Sequence, residues 1–308
     1  MSDEHLLEHV DDKVATITLN RPDALNAVTR EMLKDLYDKV ERLAEDPDVG
    51  AIVLRGAGRA FCSGGDVKSM AAGKDANASL ETRAQTLRNR MEVSRLLHEV
   101  PKPTIAMVRG PAAGAGMSLA LACDIRVASD TGKIITAFAK VGLSGDFGGS
   151  WFLTQLVGPA KARELYFLAD AVEAEEALSL GLFNRVVPDD KLEEETDLLA
   201  KRLAHGPTVT LGYMKKNLDA AISQPLAQCL DLEAMHHART SQTDDHMEAA
   251  TAFVETSRSM SRADFSRAIG IDLSNLIATA ASTAFWYASF SFWMICAPMA
   301  SMRRCNGS

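Results

Sequence analysis

The chain reads as an α/β protein that turns all-helical in its second half. Three observations predict this. Short apolar runs of strand length alternate with helical stretches through the first half. Two of those strands run into glycine-rich loops that open helical segments, about fifty residues apart along the chain. From Gly158 onward the apolar spacing is helical almost throughout.

Val14 to Leu19 is the first strand, and Asn20-Arg21-Pro22-Asp23 after it is turn chemistry. A helix is expected from Ala27, with Leu33, Leu36, Val40 and Leu43 on one face. Ala51 to Arg55 is the next strand, buried by its Ile-Val-Leu run. It feeds Gly56-Ala-Gly-Arg-Ala-Phe-Cys-Ser-Gly-Gly-Asp66, which ends where Val67 to Met70 can start a helical turn. No Gly-Lys-Ser/Thr closes this loop, so it is not a phosphate-binding P-loop. Ala78 to Val100 is expected as one helix, with Leu80, Ala84, Leu87, Met91 and Leu97 on a rough apolar face.

Thr104 to Val108 is a buried strand, Gly110-Pro111 a tight turn, and Ala115 to Ala122 an apolar helix. The loop between them, Ala112 to Gly116, has no bulky side chain, so a ligand can lie directly on its backbone. The helix behind it directs unpaired N–H groups and a partial positive charge at the same spot. That suits an oxygen that is negative, or becomes so during a reaction. Two other readings compete. One is a dinucleotide fingerprint at Gly114-Ala115-Gly116, but Leu119 replaces its third glycine and Asp130 comes early for a ribose contact. The other is close helix packing without function. Set against both, two strand–loop–helix units can bring two backbone donors to one point.

The helical half begins with Pro159 to Ala169, its proline in the first turn where a missing N–H is harmless. Val172 to Leu180 follows, closed by Gly181, then an extended connector from Leu182 to Pro188. Lys191 to Ala204, Thr208 to Ile222, Leu226 to Arg239 and Asp244 to about Ser257 complete the helices.

At 308 residues the chain can hold one large or two modest domains around a sizeable core. It carries 41 acidic against 33 basic residues, and the basic ones form no stripe, which argues against a nucleic-acid partner. Five widely spaced cysteines without a Cys-x-x-Cys fit reduced thiols, and the polar start Met-Ser-Asp-Glu-His is not a secretory signal. A cytoplasmic location is therefore expected. His236, His237 and His246 fit no standard metal spacing, so no metal is expected.

Three motifs together carry a family resemblance. They are Asn20-Arg21-Pro22-x-x-Leu25-Asn26-Ala27, Ala60-Phe61-Cys62-Ser63-Gly64-Gly65-Asp66, and Gly110-x-Ala112-x-Gly114-Ala115-Gly116 with Leu119-Ala-Leu-Ala-Cys-Asp124. In order and at this spacing they resemble the crotonase (enoyl-CoA hydratase/isomerase) family, from about Val14 to about Glu255. The resemblance implies a crotonase-like (ClpP/crotonase) ββα superhelix over residues 1–200 holding the acyl-CoA site. It implies a helical oligomerisation segment over 201–258 and a homotrimer or dimer of trimers. Coenzyme A enters only as part of the thioester substrate, with no separate cofactor.

The resemblance also implies roles for named residues. The thioester carbonyl would sit between the backbone N–H groups of Gly65 and Ala115. Removing a proton beside a thioester makes an enolate, and two fixed donors stabilise its oxygen; losing one such donor costs on the order of 3 kcal/mol of barrier. The nucleotide end of coenzyme A would lie along Ala24, Ala60, Ser63, Gly64, Gly65 and Asp66. Asp66 is equally readable as a cap for the turn after it. Phe253 matches an aromatic that contacts the nucleotide of a neighbouring subunit, while Thr256 stands where a basic residue is expected. The segment around Met70 to Asn77 would border the acyl pocket, and Met70 and Met91 read as packing.

The acid–base residues then choose the reaction. A hydratase of the family uses two glutamates, and their positions here hold Ser118 and, near Phe138, no carboxylate. One acidic residue does stand at a family catalytic position: Asp146 in Gly142-Leu-Ser-Gly-Asp-Phe-Gly-Gly-Ser-Trp151. This context most resembles the phenylacetate-type 1,2-epoxyphenylacetyl-CoA isomerases. Its other reading is an N-cap for a helix from Gly149 to Leu156. A single carboxylate suffices to move a proton between two carbons, best if partly desolvated. Phe138, Leu143, Phe147 and Trp151 are expected to provide that apolar setting. An aryl-CoA dehalogenase would use the aspartate as nucleophile with a histidine nearby, and His98 is the one histidine of the central region. Isomerisation is thus the expected activity, with residual hydration or a non-catalytic acyl-CoA binder as rivals.

The family pattern stops near Arg258. Residues 259–308 include an uncharged run from Leu273 to Met302 followed by Arg303-Arg304. Its length permits a membrane span, and its Ser, Thr and Ala content argues against one. A helix packed on an oligomer, a membrane anchor and an out-of-frame extension are the three readings of this tail.

Overall fold

The computed structural model describes residues 4–66 and 78–259, in compact units Met1–Thr243 and Asp244–Ser308. The tail from residue 260 and the segment 67–77 lie outside the described residues, and with them the expectations placed on Met70, on the Met70–Asn77 border of the acyl pocket and on the uncharged run. No helix among the described residues is long and apolar enough to cross a membrane.

The first unit is a spiral of strands that alternate between two sheets. β1 (Leu6–Asp11) and β2 (Val14–Leu19) form an antiparallel hairpin. β3 (Ala51–Gly56) and β4 (Thr104–Val108) add to β2 in parallel. β5 (Pro111–Ala113) leaves this sheet, and β6 (Ile125–Ser129) returns to it beside β4. β7 (Lys133–Ile135) pairs with β5, and β8 (Val172–Glu173) pairs with β7. β9 (Arg185–Val187) then closes the six-stranded sheet next to β6. β1 escaped the sequence reading because it is an edge strand with Leu6 alone buried, so its sequence is largely polar.

The central strands are buried on both faces, and period-two alternation divides their side chains between two cores. Ile17, Ile52, Leu54, Ala106 and Val108 face one core, while Val14, Ala51, Val53, Ile105 and Met107 face the other. The first core is covered by α1 (Arg30–Glu45), and the helix starts where Thr29 accepts a hydrogen bond from Met32 N at 3.2 Å. It starts later than expected because Leu25 and Asn26 hold positive φ and Val28 bridges to Gly65.

The helix expected over 78–100 is two helices, α2 (Leu80–Arg90) and α3 (Glu92–Glu99), divided at Met91. Val93 and Leu97 of α3 are buried, whereas α2 buries no residue fully. α4 (Ala115–Ala122) is buried at all eight positions. α5 (Gly149–Leu168) is broken at Gly158, whose φ of 75° and ψ of 165° separate the two expected helices. α6 (Ala174–Ser179) is shorter than expected, since Val172 and Glu173 pair with β7 instead.

α7 (Leu192–Ala204) covers the second core with Leu192, Leu199, Ala200 and Ala204. α8 (Thr208–Ala221) and α9 (Leu226–Thr240) pack on each other and finish the first unit. α10 (Asp244–Ser259) opens the second.

Candidate active site

Asn26 anchors the first glycine-rich loop. It is fully buried, and its amide donates to the carbonyls of Ala57 at 2.8 Å and Ala60 at 2.7 Å. Its Oδ1 accepts from Arg21 N at 2.9 Å. Arg21 donates onward to Ala27 O and to the Asp66 carboxylate at 3.1 Å. Ser63 N donates to Leu25 O and the Ser63 hydroxyl to Ala24 O. The residues expected along the nucleotide of coenzyme A, Ala24, Ala60 and Ser63 to Asp66, are thus laced together. Asp66 is an ion-pair partner of Arg21; the turn it was expected to cap lies outside the described residues.

The same loop runs alongside the second one. Cys62 N donates to Pro111 O and Ala113 N to Cys62 O, a short parallel pairing. Gly64 has φ of +105°, and a Cβ there would lie 3.0 Å from Ala113 O and 3.7 Å from Ala115 N. Only glycine satisfies both the conformation and the approach. Beyond it, Val28 bonds Gly64 O and Asp66 N, so the N–H of Gly65 between them points to the opposite side. Ala115 is the first residue of α4, only 2% exposed, and Gly114 before it offers no capping side chain. Among the described residues no hydrogen bond uses the N–H of Gly65 or of Ala115.

Asp146 reaches this region from the loop before α5. Gly65, Asp66, Asp146 and Phe147 line one cavity of about 90 Å³ with Val28, Leu33 and Leu87. Burial pushes the Asp146 carboxyl up to about 6. Its Oδ1 is buried without a hydrogen-bond partner among the described residues. The N-cap reading of Asp146 does not hold: the cap position is Gly148, and the aspartate bonds Gly149 N through its main-chain carbonyl. Ser118, at the first hydratase position, donates to that same carbonyl at 3.0 Å and so holds the Asp146 loop against α4. Phe138 is buried at the second position.

Of the four apolar neighbours expected around Asp146, one lines its cavity. Phe147 lines the cavity and Phe138 is buried, its ring 5.8 Å from that of Tyr166. Leu143 and Trp151 are 50% and 43% exposed, and Trp151 packs on His98 and Phe152 instead. His98 also pairs with Asp219 at 3.3 Å and does not line the Asp146 cavity. Met91 packs against the main core, as expected. Phe253 lies on α10 in the second unit, 52% exposed. Tyr166, whose buried hydroxyl feels the Asp146 charge, went unnoticed in the sequence. The signal that marks it is the pair of glycines flanking the aspartate, Gly145 and Gly149, which make room for its ring end.

The fold and the site define a class: an α/β spiral in which a glycine-rich loop and a partly buried carboxyl line one cavity. The enoyl-CoA hydratase/isomerase family model matches residues 9–261. The 1,2-epoxyphenylacetyl-CoA isomerase of Escherichia coli K12 is 36% identical over 82% of this chain and 95% of its own length. The short-chain-enoyl-CoA hydratase of Clostridium acetobutylicum is 33% identical over 79% of this chain and 92% of its own. A Thermobifida fusca YX structure in complex with CoA superposes with a TM-score of 0.72 at 34% identity, covering 78% of this chain and 95% of that one. The chain belongs to the enoyl-CoA hydratase/isomerase family, the crotonase family, and has its fold.

Proposed function

We propose that this enzyme isomerises an enoyl- or aryl-acyl-CoA, moving a double bond or opening a ring, through a thioester enolate. Asp146 carries the proton between carbons, and the amides of Gly65 and Ala115 stabilise the enolate oxygen. The observation that carries this reading is the Asp146 carboxyl, half-buried, without an ion pair among the described residues and raised toward neutrality, lining the cavity of Gly65. A carboxyl near pH 6 is ionised often enough to take a proton and acidic enough to return it. At the first hydratase position Ser118 is used by a hydrogen bond, and near the second no carboxylate stands and Phe138 is used in packing. The other cavity-lining carboxylate, Asp66, is held by Arg21. This chemistry needs no metal or redox group.

The rest of the reading follows the family. Acyl-CoA is the substrate, its nucleotide lying along Ala24, Ala60, Ser63, Gly64, Gly65 and Asp66, with Phe253 touching the nucleotide in a neighbouring subunit. The working assembly is a homotrimer or a dimer of trimers in the cytoplasm. An acyl-CoA panel with product mass and ultraviolet spectra tests the activity. An unchanged mass with a shifted spectrum supports isomerisation, and a gain of one water in mass replaces it with hydration. Failure to exchange the acyl α-proton in heavy water would leave a non-catalytic binder.

A further inference from the structure

Two buried polar atoms in the Asp146 region have no hydrogen-bond partner among the described residues: Asp146 Oδ1 and the Tyr166 hydroxyl. They belong to one neighbourhood. A Cβ on Gly145, the residue before Asp146, would meet the Tyr166 hydroxyl at 3.4 Å. A Cβ on Gly149 would meet it at 2.8 Å and Ser118 Oγ at 2.4 Å, and Ser118 Oγ itself bonds the Asp146 carbonyl. Alanine at Gly149 would therefore collide with both hydroxyls. The ring of Tyr166 is fixed from behind by stacking on Phe138, and Thr136 Oγ1 holds the preceding carbonyl of Leu165 at 2.9 Å. Nothing in packing requires a hydroxyl at this end of the ring. A buried phenol oxygen and a buried carboxyl oxygen in one neighbourhood, neither with a hydrogen-bond partner among the described residues, call for one oxygen that both can bond.

We propose that Tyr166 is a positioning residue for Asp146: its hydroxyl and the Asp146 carboxyl hold one oxygen atom between them, a water in the free enzyme, which orients the carboxyl and sets the pH at which it works. The proposal rests on the reading of Asp146 as the proton carrier. The phenol donates to the shared oxygen, and the shared oxygen donates to the carboxylate. This favours the ionised carboxyl and opposes the upward push of burial. The ionisable groups that line the cavity together with Asp146 are Arg30 of α1, Asp66 of the first loop and Arg90 of α2. α4 contributes none, and Lys140 on the preceding turn is exposed. Tyr166 is the ionisable group of α5 in the Asp146 neighbourhood, and burial first, then the Asp146 charge, raise its phenol.

Tyr166→Phe removes the hydroxyl and keeps the ring. In full-length protein labelled with carbon-13 aspartate, with Asp146→Asn to assign the resonance, the Asp146 midpoint in the Phe variant should rise by about one pH unit. The acidic limb of the activity profile should rise with it, with kcat reduced below the new midpoint and KM for acyl-CoA within about twofold. An unmoved midpoint overturns the proposal, whatever happens to overall rate. The nuclear magnetic resonance reading does not depend on turnover, so an active Asp146→Asn enzyme would end the isomerase reading without deciding Tyr166. A crystal structure of the wild type decides it even if the variant fails to fold. One ordered oxygen within hydrogen-bond reach of both atoms supports the proposal, and a phenol turned away from Asp146 overturns it.

Discussion

At the residue scale the proposed chemistry turns on one partly buried carboxyl. Its elevated midpoint of about 6 makes two separable predictions. Asp146→Asn should lower turnover by at least about a hundredfold while acyl-CoA affinity changes little, since the amide keeps the shape and loses the base. Near-normal turnover by the variant would remove Asp146 from the mechanism. In the wild type, activity should climb through about pH 6 as the carboxyl ionises. The stability sign is opposite. The folded carboxyl has the higher midpoint, so its contribution is fully present below pH 4 and lost as pH rises through about 6. The asparagine variant should therefore be more stable than wild type at pH 7, by about 2 kcal/mol once partial solvent screening is allowed for, and no more stable at pH 4. Denaturant midpoints at the two pH values measure this. Asp146 was legible in the sequence because a motif surrounds it. Tyr166 was not, because an aromatic in an apolar helix looks like packing until the two glycines are seen to face its hydroxyl.

At the element scale α4 explains why a serine stands where a hydratase carries an acid. Every residue of this helix is buried, and Ser118 Oγ bridges α4 to the loop that carries Asp146. Ser118→Glu would force a long carboxylate into a space where even a Cβ on Gly149 lies 2.4 Å from the existing oxygen. The variant should lose about 3 kcal/mol of stability or more, and it should not gain water addition. A variant that folds with an unchanged unfolding midpoint and yields hydrated product would show that the serine, not the pocket, decides the reaction. The second strand–loop–helix unit was legible because a buried strand, a glycine loop and a helix start leave distinct local signals; the helical turn expected after the first loop lies outside the described residues. The break at Met91 was not, since Leu80, Leu87 and Leu97 keep helical spacing across it. What differs between the two helices is burial: Leu80 is 74% exposed while Leu97 is fully buried. Spacing alone carries no record of which apolar residues find a partner.

At the scale of the whole first unit, two cores share one sheet, and the helices after β9 must be fastened to it. α7 does so by apolar packing; α8 does so by charge. Lys215 of α8 is buried, and its ammonium donates to Leu97 O at 3.2 Å and Lys102 O at 3.4 Å and pairs with Asp124 at 2.9 Å. Asp124 ends the third sequence motif, and its Oδ2 also accepts from Thr104 N and from the Thr104 hydroxyl. One ion pair thus joins α8, the end of α3, the start of β4 and the end of α4. No periodicity reveals it, because the partners are far apart in sequence and Lys215 reads as one more charge on a helix. Lys215→Ala should destabilise the unit by about 3 kcal/mol, because it strips a mostly buried carboxylate of its counter-charge and takes a donor from Lys102 O and from Leu97 O, the latter keeping the Thr104 hydroxyl. Asp124→Asn in the same chain should recover part of that loss by removing the stranded charge, a coupling that a double-mutant cycle in denaturant reads directly. No residue of α8 lines the Asp146 cavity, so kcat of the folded variant should stay within about twofold of wild type. Additive losses in the cycle would reduce Lys215 to a packing residue. A collapse of kcat in a fully folded Lys215→Ala enzyme would instead tie this fastening to the site.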